Sequence, residues 1–136
     1  LLRLLGQHDV VVVSGATGCG KSTQVPQYIL EDAIAAGEGA KCNIVVTQPR
    51  RISALGLASR VASERGEAVG GVVGYSVRLE HRTSAATRLT FVTTGILLRR
   101  LLSDPDLQDA THIVLDEVHE RSIEIDLLLL LLRDVL

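Results

Sequence analysis

A chain of 136 residues is about one domain, and 46% hydrophobic content supplies a buried core, which excludes a disordered segment. Aromatics are only 2%, so the core must be built from Leu, Val, Ile and Ala, as where parallel strands are covered by helices. The formal net charge of −2 gives no global basic footprint, so a polyanionic partner has to be held by local arginines, which make up twelve of the fourteen basic residues.

In chain order, the opening "LLRLLGQHD" reads as the tail of a helix that begins earlier, so the termini are expected to be cut ends. Val10–Val13 is β-branched throughout and predicts a strand covered on both faces. Three glycines then fall within six positions, Gly15, Gly18 and Gly20. Each loses much backbone freedom on folding, so the cluster implies close approach of something to the main chain. Gly15, Gly20, Lys21 and Ser22 fit the spacing G-x-x-x-x-G-K-[ST], whose backbone N–H groups wrap phosphates while the lysine reaches the terminal ones. A helix from Lys21 to about Ala36, stopped by Gly37 and Gly39, points its positive dipole end at the same anion. Pro26 lies inside it and removes one backbone bond, so a bend is expected there.

Strand-like and helical runs then alternate: Ile44–Thr47, a helix from about Arg50 to Arg65, Val72–Val77, a polar loop "EHRTSAATR", Leu89–Val92, a helix from about Gly95 to Leu102, Ile113–Leu115 and a leucine-rich helix. The alternation predicts an α/β fold, a mostly parallel sheet with helices on both faces. The six leucines from Leu127 to Leu132 are too few to span a bilayer and predict a helix buried on most sides; no membrane partner is expected. Cys19 and Cys42 do not make a disulfide framework or a metal cluster, which favours a reducing, intracellular compartment, cytoplasmic or nuclear.

Ligands of parallel sheets gather at the carboxyl ends of the strands, and the chemically distinctive segments all follow strands. "HIVLDE" puts Asp116 and Glu117 after the last one. An acid there can hold the Mg²⁺ that Ser22 also touches, while Glu117 orients and deprotonates an attacking water. A phosphotransferase acting on an organic hydroxyl has less need of such a Glu, so the pair favours hydrolysis. The bland alternative is a solvated turn whose acids cap the last helix.

His119 and Arg121 go beyond what a plain NTPase needs. "DEVHER" resembles motif II of the DExH/DEAH-box helicases of superfamily 2, "GATGCGKST" their motif I, "TQPRRISA" motif Ia and "TTGILLRRL" motif Ib, in the family's order and approximate spacing. Val118 stands where most members of the narrower DEAH group have alanine, which suits the broader DExH set. The resemblance implies the first RecA-like P-loop lobe, incomplete at its C-terminal end and lacking the second lobe. It implies ATP with Mg²⁺, bound by Gly15, Ala16, Thr17, Gly18, Cys19, Gly20, Lys21, Ser22 and Thr23, with Ser22, Asp116 and Glu117 at the metal. Glu117 would activate water and His119 would relay nucleotide state to the second lobe; Lys21, Asp116, Glu117 and His119 are the catalytic set.

For nucleic acid, Pro49, Arg50 and Arg51 follow the second strand, and Thr93, Thr94 and Gly95 form a second anion-binding turn at a helix start. Neither turn carries a base-reading aromatic, so backbone tracking of single-stranded or partly structured RNA is expected. The alternative is that Arg50 and Arg51 pair with surface acids and the threonines only cap. The resulting expectation is the front of an ATP-driven RNA helicase that is poorly active without its second lobe. A DNA helicase of the same superfamily, a nucleotide-gated RNA-binding scaffold and a small-molecule kinase are the rivals.

Overall fold

The computed structural model describes residues 1–136, with helix α1 at Leu2–Leu5, α2 at Lys21–Ala35, strand β1 at Ile44–Gln48 and α3 at Arg51–Glu64. Strands β2 (Val73–Val77), β3 (Glu80–Arg82) and β4 (Leu89–Thr93) follow, then α4 (Thr94–Ser103), β5 (His112–Leu115), a 3-10 turn (Val118–Glu120) and α5 (Ile123–Arg133). The sheet order is β3-β2-β4-β1-β5, with β2, β4, β1 and β5 parallel and β3 antiparallel to β2. Ile44 lies opposite both Leu89 and His112, so β1 lies between β4 and β5, the strand that leads into the later acidic loop.

Side chains alternate between the two faces of a strand, and this divides the core in two. Ile44, Val46, Leu89, Phe91, Val73 and Tyr75 pack with Ile29 and Leu30 of α2 and Ala54, Ala58 and Val61 of α3. Val45 and Val92 point the other way and pack with Leu97 and Leu101 of α4 and Leu128 of α5. Helices therefore cover both faces. The small Ala54 and Ala58, both fully buried, let α3 lie close against the sheet. Pro26 is buried within α2, which runs unbroken from Lys21 to Ala35.

Three expectations are corrected. Val10–Val13 forms no strand and pairs with no neighbour; Val10, Val12 and Val13 are 64%, 86% and 43% exposed. β-Branching favours extended backbone, but a strand exists only through ladder bonds, and the outer edge of β5 takes none from this segment. The leucine-rich α5 is covered along one stripe only, with Ile125 and Leu128 buried one turn apart and Leu127, Leu129 and Leu130 42–49% exposed. Its other face meets no packed element. Finally, the start of the polar loop is strand β3, paired antiparallel through Tyr75 with Arg82 and Val77 with Glu80. A tight turn at Arg78 and Leu79, the latter at φ 63, makes this hairpin, and the charged composition that disguised it is what an edge strand carries.

The hairpin needs Gly74, because a Cβ there would sit 2.4 Å from the Arg82 carbonyl oxygen and 3.1 Å from Thr83 Cγ2. Gly74→Ala is expected to destabilise the domain by about 1–3 kcal/mol through overpacking and to detach β3. Amide hydrogen exchange should then rise at Glu80–Arg82 while Ile44–Gln48 stays protected; equal protection of β3 in wild type and variant would refute the contact.

Candidate functional site

The glycine loop ends in Gly20, which precedes α2 in the left-handed region at φ 88, and Gly18 has φ 79. Glycine reaches these dihedrals without strain, and the loop turns back on itself around Lys21. Lys21 Nζ donates to Gly15 O at 2.6 Å and Ala16 O at 2.9 Å and lies 3.6 Å from Cys19 Sγ. Within the loop, Cys19 N–H donates to Ala16 O at 3.2 Å, whereas the amides of Gly18, Gly20, Lys21 and Ser22 donate to no protein acceptor. Unbonded amides at a helix N-terminus, beside an ammonium, are the donor set of an anion site. Thr23 Oγ1 instead donates to Gly20 O at 3.2 Å, which stiffens the first turn.

The acidic pair follows β5. Asp116 Oδ2 accepts from Gln48 Nε2 at 2.5 Å, and its Oδ1 accepts from the Glu117 amide at 2.9 Å. Gln48 ends β1 and is only 3% exposed, so its amide is compelled to find a buried partner. Glu117 is left-handed, at φ 54 and ψ 32, and this kink starts the 3-10 turn. Its Oε2 lies 3.1 Å from His119 Nε2. No cluster of three or more His, Cys, Asp or Glu side chains forms a metal cage. A single carboxylate with free lone pairs is the kind of donor that Mg²⁺ accepts, since it commonly takes few protein ligands and completes its shell with phosphate and water. Val25 of α2 and Val114 of β5 pack on one core cluster, so the loop's helix covers the face of the sheet that the Val114 side chain enters. No hydrogen bond joins Ser22 to Asp116.

The two nucleic-acid candidates adjoin. Gln48 and Thr93 are register partners at the ends of β1 and β4, and Thr94 Oγ1 donates to Gln48 O at 3.3 Å. Thr94 is buried, so its hydroxyl is committed inward and its backbone amide is what that turn offers an anion. Pro49, Thr93 and Gly95 line a shallow polar cavity together with Arg78, Arg99 and Glu124. Arg50 occupies the position before α3 and Arg51 opens it; Arg50 pairs with Glu120 at 2.9 Å, while Arg51 pairs with Glu80 and donates to Arg78 O at 2.9 Å. Both arginines are largely exposed and both have acidic partners in this structure, as the bland alternative had it.

The family model for DEAD/DEAH box helicases matches residues 1–126. This chain belongs to that family. Among its relatives, the DExH-box ATP-dependent RNA helicase DExH1 of Arabidopsis thaliana is 56% identical over 99% of the chain and 14% of its own length. The putative ATP-dependent RNA helicase DHX57 of Homo sapiens is 57% identical over 99% of the chain and 10% of its own length. The probable ATP-dependent RNA helicase spindle-E of Anopheles gambiae is 52% identical over the whole chain and 9% of its own length. The chain therefore spans about a tenth of the length of these curated relatives. Its α/β architecture, with a five-stranded, mostly parallel sheet, is that of a RecA-like helicase lobe. No helix is long and apolar enough to cross a membrane.

Sequence reasoning about the helicase motifs missed Gln48, Glu120 and Arg78. Gln48 had a signal: a polar residue ending a strand whose every position is buried. The partners of Glu120 and Arg78 lie 70 and 27 residues away, which no local pattern reveals.

The helicase motif II ends in a second clasp, Arg121 to Asp126, with Nε and Nη2 donating at 2.9 and 3.0 Å to the two carboxylate oxygens. The hydrogen bonds from Arg121 hold the Asp126 carboxyl below its ordinary pKa. A depressed folded-state value means that this clasp contributes fully above the unfolded aspartate pKa and is lost as pH falls through the folded one. In carboxylate NMR titrations, Asp126 should titrate below a typical aspartate and move back up in Arg121→Ala; an unchanged midpoint would contradict the clasp.

Proposed function

We propose that this chain is the nucleotide-binding lobe of an ATP-dependent RNA helicase, in which ATP hydrolysis at the glycine loop drives movement along or remodelling of RNA. The observation that carries the reading is the unbonded amide set of Gly18, Gly20, Lys21 and Ser22 around the Lys21 ammonium, in a chain of this family. A triphosphate would take those amides, and the ammonium would exchange the Gly15 and Ala16 carbonyls for β- and γ-phosphate oxygens. Ser22 and Asp116 would hold Mg²⁺, whose chemistry is to neutralise charge on the terminal phosphates. Asp116 is already oriented for this by Gln48 and by the Glu117 amide.

Glu117 would orient the attacking water and take its proton, since it is the adjacent carboxylate and half-exposed. His119, against Glu117 Oε2, limits the orientations of that carboxylate and can pass its state outward to a second lobe. Arg50, Arg51 and the amides of Thr94 and Gly95 would grip phosphates of a single strand across the ends of β1 and β4, with no aromatic to read bases. The names of these three relatives, each an ATP-dependent RNA helicase, support RNA as the strand. The two unpaired cysteines agree with a reducing compartment, cytosolic or nuclear.

ATP hydrolysis by the full-length protein tests this, with and without single-stranded RNA and with matched single-stranded DNA. RNA should accelerate hydrolysis more than DNA does, and Glu117→Gln should lower the rate about 10²- to 10⁴-fold, as loss of a general base does. Lys21→Ala should weaken ATP binding. Hydrolysis indifferent to Glu117→Gln would sink the assignment, and equal stimulation by DNA would move the substrate to a strand held without its 2′-hydroxyl.

A further inference from the structure

The turn at Val118–Glu120 is bracketed by two of the four non-glycine residues with positive φ in the chain, Glu117 at φ 54 and Arg121 at φ 50. Such dihedrals are unfavourable for side-chain-bearing residues, so outside contacts must hold the turn. On its far side Arg121 is clasped by Asp126. On its near side the hold is Glu120, whose Oε1 accepts from Arg50 Nη2 at 2.9 Å and whose amide donates to Glu117 O at 3.0 Å. A movement of Glu120 therefore acts directly on the backbone of Glu117, and through it on the Glu117 to His119 pair at 3.1 Å.

Arg50 is at the opposite end of this lever. Its side chain is 67% exposed and Glu120 is its one acidic partner, whereas Arg51 is turned the other way, toward Glu80 on the edge strand. A guanidinium in that position is open to a second anion, and an exposed ion pair is weak enough for a phosphate to displace.

We propose that Glu120 is a positioning residue that makes hydrolysis answer to nucleic acid: without a strand, Arg50 holds Glu120 and fixes the turn, and a backbone phosphate on Arg50 releases it. The released turn lets Glu117 and His119 reach their working orientation. This rests on the reading of Arg50 as a phosphate contact given above.

The test uses the full-length protein with single-stranded oligouridylate, reading RNA affinity by fluorescence anisotropy and ATP hydrolysis without RNA and at saturating RNA. In Glu120→Ala, RNA-free hydrolysis should rise several-fold toward the stimulated rate, so that the stimulation ratio shrinks. RNA should bind about two- to fivefold tighter, because phosphate no longer competes with a carboxylate for Arg50. Glu120→Asp, which keeps the charge, should restore part of the stimulation ratio. If the alanine variant melts early, the isosteric Glu120→Gln serves the same comparison. An equal fall in hydrolysis with and without RNA, or unchanged RNA affinity, means that Glu120 only props the turn and overturns this inference alone. A wild-type protein that neither binds the oligonucleotide nor is stimulated by it overturns the RNA-helicase reading, and this inference with it.

Discussion

The side chain of Gln48 is the fixed point on which the site depends. Its amide donates to Asp116 at the end of β5, and the main-chain carbonyl oxygen of the same residue accepts from Thr94 just beyond β4, so three strand ends are tied at one buried residue. Each group involved would be costly to leave unpaired in the interior. The acid, the start of α3 and the start of α4 therefore keep a common frame. A parallel sheet brings its carboxyl ends to one side, and this residue makes that general property of the topology into a specific arrangement.

Charge around this frame is arranged locally. Six of the twelve arginines, Arg50, Arg51, Arg60, Arg65, Arg121 and Arg133, each meet a carboxylate. The pairs at the candidate nucleic-acid surface are exposed and so weak. Glu64 differs, accepting from Arg60 Nε at 2.6 Å and from Gln24 and Gln27 at 3.2 and 2.8 Å. It joins the loop's own helix to the far end of α3, so the helix that bears the lysine and the helix that bears the arginines are coupled by polar contacts as well as by packing.

Much of this was legible beforehand, for identifiable reasons. β1, α3, β4 and α4 lie within one or two residues of their expected bounds, because their hydrophobic periods agree with their burial. The motif residues likewise fell at strand ends and helix starts, where local spacing governs placement. Legibility failed where the deciding partner is distant. The backbone of Val10–Val13 favours extension, yet no ladder forms on the β5 edge; Leu127, Leu129 and Leu130 are apolar, yet nothing packs over them. The β3 hairpin was hidden because its residues are charged and its evidence is cross-strand pairing with β2. Polar pairings such as Gln48 with Asp116 are invisible to any window shorter than the distance between the two residues.

Lys21 acts as its own placeholder. The ammonium has three protons, and two loop carbonyls and a thiol sulfur already surround it. An arriving oxyanion thus meets a charge whose reach has been measured out in advance by the loop. The exchange of acceptors is close to one for one, so selectivity at this point falls to charge: a neutral oxygen gains nothing over the carbonyls it must replace, and a doubly ionised one gains a great deal.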